Sequence, residues 1–101
     1  MISVVSKRGG SKPVPVGTIR VYVGRPSPLG NPFEIGRHGS RAEVIEQYDR
    51  WLTEREVEGE VGEELSRLLS IAVSGDLELE CWCAPQACHA DIIKQWLEAQ
   101  I

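Results

Sequence analysis

Asp76-Leu77-Glu78-Leu79-Glu80-Cys81-Trp82-Cys83 is the stretch that decides how this chain folds. Leu77, Leu79, Cys81 and Cys83 take alternate positions, with Glu78, Glu80 and Trp82 between them. That is the period of a strand with one buried face. Glutamates on the other face make it polar, which fits a small two-layer α/β sandwich rather than a sheet covered by helices on both sides.

Outward from there, Thr18-Ile19-Arg20-Val21-Tyr22-Val23 reads as another strand, with Ile19, Val21 and Val23 opposite Arg20 and Tyr22. About 50 residues separate the two strands, a length suited to a parallel crossover. If the strands are neighbours, Arg20 belongs on the polar face near Glu78 or Glu80. Between them Ser40, with Glu43 three residues on, forms a capping box that opens a helix. Val44, Ile45, Tyr48, Trp51 and Leu52 make its apolar stripe. A second helix is expected from about Val61 to Val73, with Gly59 in the link before it and Gly75 as its stop. Ile92, Ile93, Trp96 and Leu97 mark a last helix. Trp51 and Trp96 sit on helical stripes and read as core.

The expectation is a single α/β domain over residues 1–101, with a mostly parallel sheet in the order β-loop-α-α-β-loop-α. Residues 1–17 read as an irregular lead-in, because Gly9-Gly10, Pro13 and Pro15 interrupt any regular element. Ile2, Val4 and Val5 are its candidates for pairing at a sheet edge. Parallel strands would bring the loops that follow them to one carboxyl edge, where open α/β sheets bind ligands.

Composition narrows the class. The 101 residues are 42% hydrophobic and 26% charged, ordinary for a globular chain with one modest core. Three cysteines, an odd number, fall within eight residues of one another, so they read as a site in a reducing compartment and not as disulfide staples. No run approaches the roughly 20 apolar residues of a membrane span. The first residues carry their charge after a short apolar run, the wrong order for a signal peptide. A cytoplasmic location is the expectation. The net charge of −4 hides an asymmetry: residues 1–38 hold six basic side chains and one acidic, and residues 39–101 hold five basic and fourteen acidic. A basic third on an acidic body suggests a local anion-facing surface.

The densest chemistry is Cys81-Trp82-Cys83-Ala84-Pro85-Gln86-Ala87-Cys88-His89. Cys81, Cys83, Cys88 and His89 have the chemistry of a tetrahedral Cys₃His site, with zinc as the candidate ion, although the C-x-C-x₄-C-H spacing is not that of zinc ribbons. The competing reading is a reactive thiol. Cys88 falls at the start of the last helix, where the dipole favours thiolate. His89, Arg25 and Arg37 would favour it further, and Asp91 would orient an imidazole or a ligand donor. Cys81 and Cys83 also suit plain burial beside Leu77 and Leu79.

Gly24 to Phe33 is the second constellation. Its three prolines forbid helix and central strand, leaving a stiff loop. Gly24 and Gly30 permit close backbone approach, Ser27 and Asn31 supply donors and acceptors, and Arg25 suits a phosphate or carboxylate fork. The glycine spacing fits neither a P-loop nor a Rossmann fingerprint. Trp82, on the polar face of its strand, is a candidate stacking platform.

Taken together, Val21-Tyr22-Val23-Gly24-Arg25 with Leu29-Gly30-Asn31-Pro32-Phe33, and then Cys81-Trp82-Cys83-x-Pro85-x-x-Cys88-His89, resemble a domain-of-unknown-function family, number 4326. The resemblance covers roughly residues 18–97 and implies small proteins of phages and bacteria that share these two loops. It brings no activity with it. Ala90 stands where the family pattern is expected to carry glycine.

The leading expectation is a small-molecule-binding domain with its cleft between the 24–33 loop and the Cys81–His89 turn. Its ligand would be nucleotide-like or otherwise anionic, with enzymatic chemistry through Cys88, His89 and Asp91 left open. One alternative is a zinc-stabilised interaction module. A nucleic-acid accessory role is the weakest reading, because the acidic body repels phosphate backbone. Nothing in the sequence indicates an oligomeric state.

Overall fold

The computed structural model describes residues 1–101. Its elements are β1 (Ile2–Ser6), β2 (Thr18–Tyr22), α1 (Arg41–Arg55), α2 (Gly59–Ser74), β3 (Asp76–Cys81) and α3 (His89–Gln100). β3 lies in the middle of a three-stranded sheet of order β1-β3-β2, and both pairings are parallel.

The register sorts the side chains by face. Ile2 and Ile19 flank Leu77, and Val4 and Val21 flank Leu79. Leu77, Leu79 and Cys81 are buried in one core with Tyr48 and Leu52 of α1, Leu65 and Leu68 of α2, and Ile93 and Leu97 of α3. Each fully buried leucine contributes about 1.5–3 kcal/mol of apolar burial. All three helices therefore supply the layer on this face, as the alternation of residues 76–81 predicts.

Helix starts and stops follow local chemistry. Ser40 caps α1: its Oγ accepts from the Glu43 N–H at 3.2 Å, and Glu43 Oε1 accepts from the Ser40 N–H at 2.9 Å. That capping pair holds the Glu43 carboxyl below its ordinary range. Gly75 ends α2, its N–H donating to the Ile71 carbonyl. Gly59 is the first residue of α2, not part of a link.

Three features differ from the sequence reading. Residues 2–6 of the stretch read as an irregular lead-in form a regular strand, and its Ile2, Val4 and Val5 pair at the sheet edge as anticipated. The other two strands are shorter than the alternation implies, ending at Tyr22 and Cys81, although the Val23 N–H still donates to Glu80 O at 2.9 Å. The glutamate face is polar as expected but is covered by the chain and not left to solvent. β1 and β2 run parallel on either side of β3, so residues 7–17 must return from the carboxyl end of β1 to the amino end of β2. They do so across the polar face. Ser11 Oγ donates to Glu80 Oε2 at 2.8 Å, and the Arg20 guanidinium donates to the carbonyls of Lys12 and Pro13. Under this strap Glu80 is 5% exposed. Arg20 pairs with Glu78 at 2.8 Å, where the register places it.

Candidate functional site

The loops that follow β2 and β3 meet at one edge of the sheet and enclose a cavity of about 510 Å³. That lies within the roughly 300–1,000 Å³ of small-molecule pockets. Tyr22, Gly24 and Arg25 enter from the end of β2, and Asn31, Phe33 and Glu34 from the loop beyond. Arg41, Val44 and Ile45 come from α1, Cys81, Trp82 and Cys83 from the end of β3, and Ala87, Cys88 and His89 from the start of α3. The N-terminal ends of both α1 and α3 therefore border the cavity, and each brings the positive end of a helix dipole.

Of the residues expected from sequence, Gly24, Arg25, Asn31, Trp82, Cys81, Cys83, Cys88 and His89 line this cavity. Ser27, Gly30 and Asp91 do not. Ser27 and Gly30 build the turn: the Ser27 N–H donates to Gly24 O at 2.8 Å and the Gly30 N–H to Ser27 O at 3.0 Å. Gly30 is needed because a Cβ there would meet the Arg25 backbone at 2.9 Å. Asn31 spends its amide on the chain, accepting from the Phe33 N–H at 2.9 Å and donating to Val44 O at 3.3 Å.

Trp82 is half exposed, and its indole N–H donates to the Tyr22 hydroxyl at 3.1 Å. The Tyr22 hydroxyl in turn donates to the Arg25 carbonyl at 2.9 Å. Lys7 Nζ sits 4.7 Å from the Tyr22 ring centroid and 5.7 Å from that of Trp82, a cation–π pairing on the same side. The aromatic wall is thus fixed by its own polar atoms. Arg25 forms an ion pair with Glu34 at 3.5 Å, and Glu34 also pairs with Arg37 at 3.4 Å.

The Cys88, His89 and Asp91 side chains are not hydrogen-bonded to one another. Asp91 Oδ2 accepts from the Cys88 N–H at 3.0 Å, so the carboxylate caps the helix. His89 Nε2 lies 2.7 Å from the Val23 carbonyl oxygen, and the ring packs edge-on against Tyr48 with centroids 5.1 Å apart. The Val23 oxygen can only accept, so Nε2 carries the proton. Burial pushes the His89 pKa below the ordinary histidine value, with the Arg25 charge adding to that shift and the Val23 bond opposing it.

The metal-ligand reading is also not assembled. No group of three or more His, Cys, Asp and Glu side chains is gathered so as to hold an ion. Cys81 and Cys88 do meet, with Sγ atoms 3.2 Å apart, both almost fully buried. His89 is drawn to Val23, and Cys83 is half buried with no bond to the other two thiols. In the close pair Cys88 donates to Cys81. That bond lowers the Cys81 pKa and, with burial, raises that of Cys88.

Arg41 was not legible as a site residue. It is the first residue of α1, where a cation opposes the helix dipole. Its Nη1 donates across the cavity mouth to Ala87 O at 2.9 Å. A basic residue placed against the dipole directly after a strong cap was the available signal.

Fold and site together define a small mixed α/β protein with a ligand-sized cavity at the carboxyl edge of a parallel sheet. The chain belongs to the family described as "Domain of unknown function (DUF4326)", which it matches over residues 5–99. No curated protein and no solved structure matches it. No helix is long and apolar enough to cross a membrane.

Proposed function

We propose that this protein binds a nucleotide-like small molecule, an anion carrying an aromatic group, in the cavity between the 24–34 loop and the 81–89 turn. The observation that carries the reading is the pairing of two arginines, Arg25 and Arg41, with the aromatic side chains of Tyr22, Phe33 and Trp82 around one cavity. A guanidinium offers a planar fork to phosphate, and an indole or phenyl face offers stacking to a base. Two helix N-termini at the rim add positive potential. At both helix starts a carboxylate takes the first N–H, Glu43 that of Ser40 and Asp91 that of Cys88, so the charged part of the ligand belongs at the arginines.

The test is a thermal-shift series with nucleotides, the matching nucleosides and inorganic phosphate. A nucleotide at tenfold excess over its Kd should add about 1.4 kcal/mol, or about 6–11 °C in melting temperature. Nucleoside or phosphate alone should shift it less. A series in which nothing anionic shifts the melting temperature overturns the proposal.

A further inference from the structure

We infer that Cys81 and Cys88 form an oxidisable dithiol site at the wall of the cavity, which closes to an intramolecular disulfide. The inference stands apart from the ligand proposal, because it rests on the two sulfurs and on the backbone that places them.

Cys81 is the last residue of β3, and its carbonyl accepts the Lys7 N–H at 2.7 Å, which pins the strand end to the chain leaving β1. Cys88 immediately precedes α3, and its N–H is held by Asp91 at 3.0 Å. Two backbone segments fixed by separate hydrogen bonds thus present their thiols to each other at 3.2 Å. A disulfide needs about 2.05 Å, so the two sulfurs have only about 1.1 Å to close. Both residues are free thiols, and both line the cavity, which gives a small oxidant a path to sulfurs otherwise buried. Cys83 also lines the cavity, but its thiol is not hydrogen-bonded to either sulfur.

The co-reactant is a peroxide. The Cys81 thiolate attacks one peroxide oxygen, the O–O bond breaks, and a sulfenic acid forms while the released hydroxide takes a proton to become water. The Cys88 sulfur then attacks the sulfenic sulfur. The S–S bond forms, the S–O bond breaks, and hydroxide leaves with the Cys88 proton as a second water. The two thiols lose two electrons and two protons, and hydrogen peroxide is reduced to two waters. A small dithiol reductant reverses the change by thiol–disulfide exchange.

The experiment treats the native protein with hydrogen peroxide, quenches it, and counts thiols by alkylation in denaturant, with peptide mapping of the linked residues. The expected result is a fall from three free thiols to one, that one being Cys83, with a Cys81–Cys88 crosslink that dithiothreitol removes. Cys83→Ser should lose both of its thiols to one crosslink, and Cys88→Ser should form no crosslink of the native pair, its Cys81 stopping at the sulfenic acid or beyond. Mapping of the wild type settles the matter even if Cys88→Ser does not fold. Protein unfolded before oxidation should instead scatter its crosslinks over all three cysteines. Three free thiols after oxidation, a crosslink through Cys83, or pairing no more selective than in the unfolded chain overturns the inference.

Discussion

His89 Nε2 lies 2.7 Å from the carbonyl oxygen of Val23, tying the first turn of α3 to the chain just past β2. One hydrogen bond thus fixes the separation of the two segments that frame the cavity. Protonation would keep that bond but charge a buried ring, so the stability of this frame depends on pH.

His89 has a folded-state pKa below its unfolded value of about 6.5, because burial disfavours the imidazolium and Arg25 repels it. The unfolded chain therefore binds the proton more readily. The stability His89 contributes is complete above about pH 6.5 and is lost as pH falls through the lowered folded-state value. Melting temperature should fall from pH 7 towards pH 5, and in His89→Gln the fall over that range should be shallower. Equal slopes in the two proteins would show that another group carries the dependence.

Tyr48 anchors the same frame from α1. Its hydroxyl donates to the Leu29 carbonyl at 2.7 Å, and both residues are fully buried. Tyr48→Phe keeps the ring but leaves that carbonyl without a partner, at a cost of about 1–3 kcal/mol. Denaturant unfolding should show a lower midpoint with an unchanged slope, since the area exposed on unfolding stays the same.

How much of this was legible beforehand depends on the range of the interaction. β3 and α1 could be read because alternation and capping are local patterns, and the Arg20–Glu78 pair follows once the strands are parallel. β1 was legible only as Ile2, Val4 and Val5 pairing at a sheet edge, because a run so short that breaks strict alternation does not by itself mark a strand over 2–6. The burial of Glu80 depends on Ser11, 69 residues away in sequence. The Cys₃His set is not gathered for the same reason, since His89 bonds to a carbonyl 66 residues away that no spacing rule can see. The cavity itself was legible from topology, because parallel strands send their following loops to one edge.

Gly30 tests the turn that carries Arg25. A Cβ at this position would lie 2.9 Å from both Arg25 Cα and Arg25 N, and backbone cannot step aside as a flexible side chain can. Gly30→Ala should destabilise the protein by about 1–3 kcal/mol, the usual cost of overpacking, and should weaken ligand binding by displacing Arg25. Thermal melts with and without a nucleotide that binds the wild type separate the two effects. A variant as stable as wild type would mean the loop relaxes freely.

The sharpest test of the anion reading sets Arg25 against its own counter-ion. Arg25 is more than half exposed and lies 3.5 Å from Glu34, and both residues line the cavity. An incoming phosphate must compete with that carboxylate for the guanidinium. Arg25→Ala removes a charge-assisted bond of about 1.5–3 kcal/mol, and because the site is open to solvent the lower end applies, about a 10-fold loss of affinity. Glu34→Gln removes the competitor while keeping the side chain's shape. An exposed pair of this kind is worth about 0.2–1 kcal/mol, so affinity should rise by up to about 5-fold. Neither change touches the core, and both variants should melt close to wild type without ligand. Calorimetric titration of a nucleotide into the three proteins should therefore give affinities in the order Glu34→Gln, wild type, Arg25→Ala, with the spread narrowing as salt screens the exposed charges. If both substitutions weaken binding alike, Glu34 helps to hold the ligand and the charge assignment at this cavity is wrong.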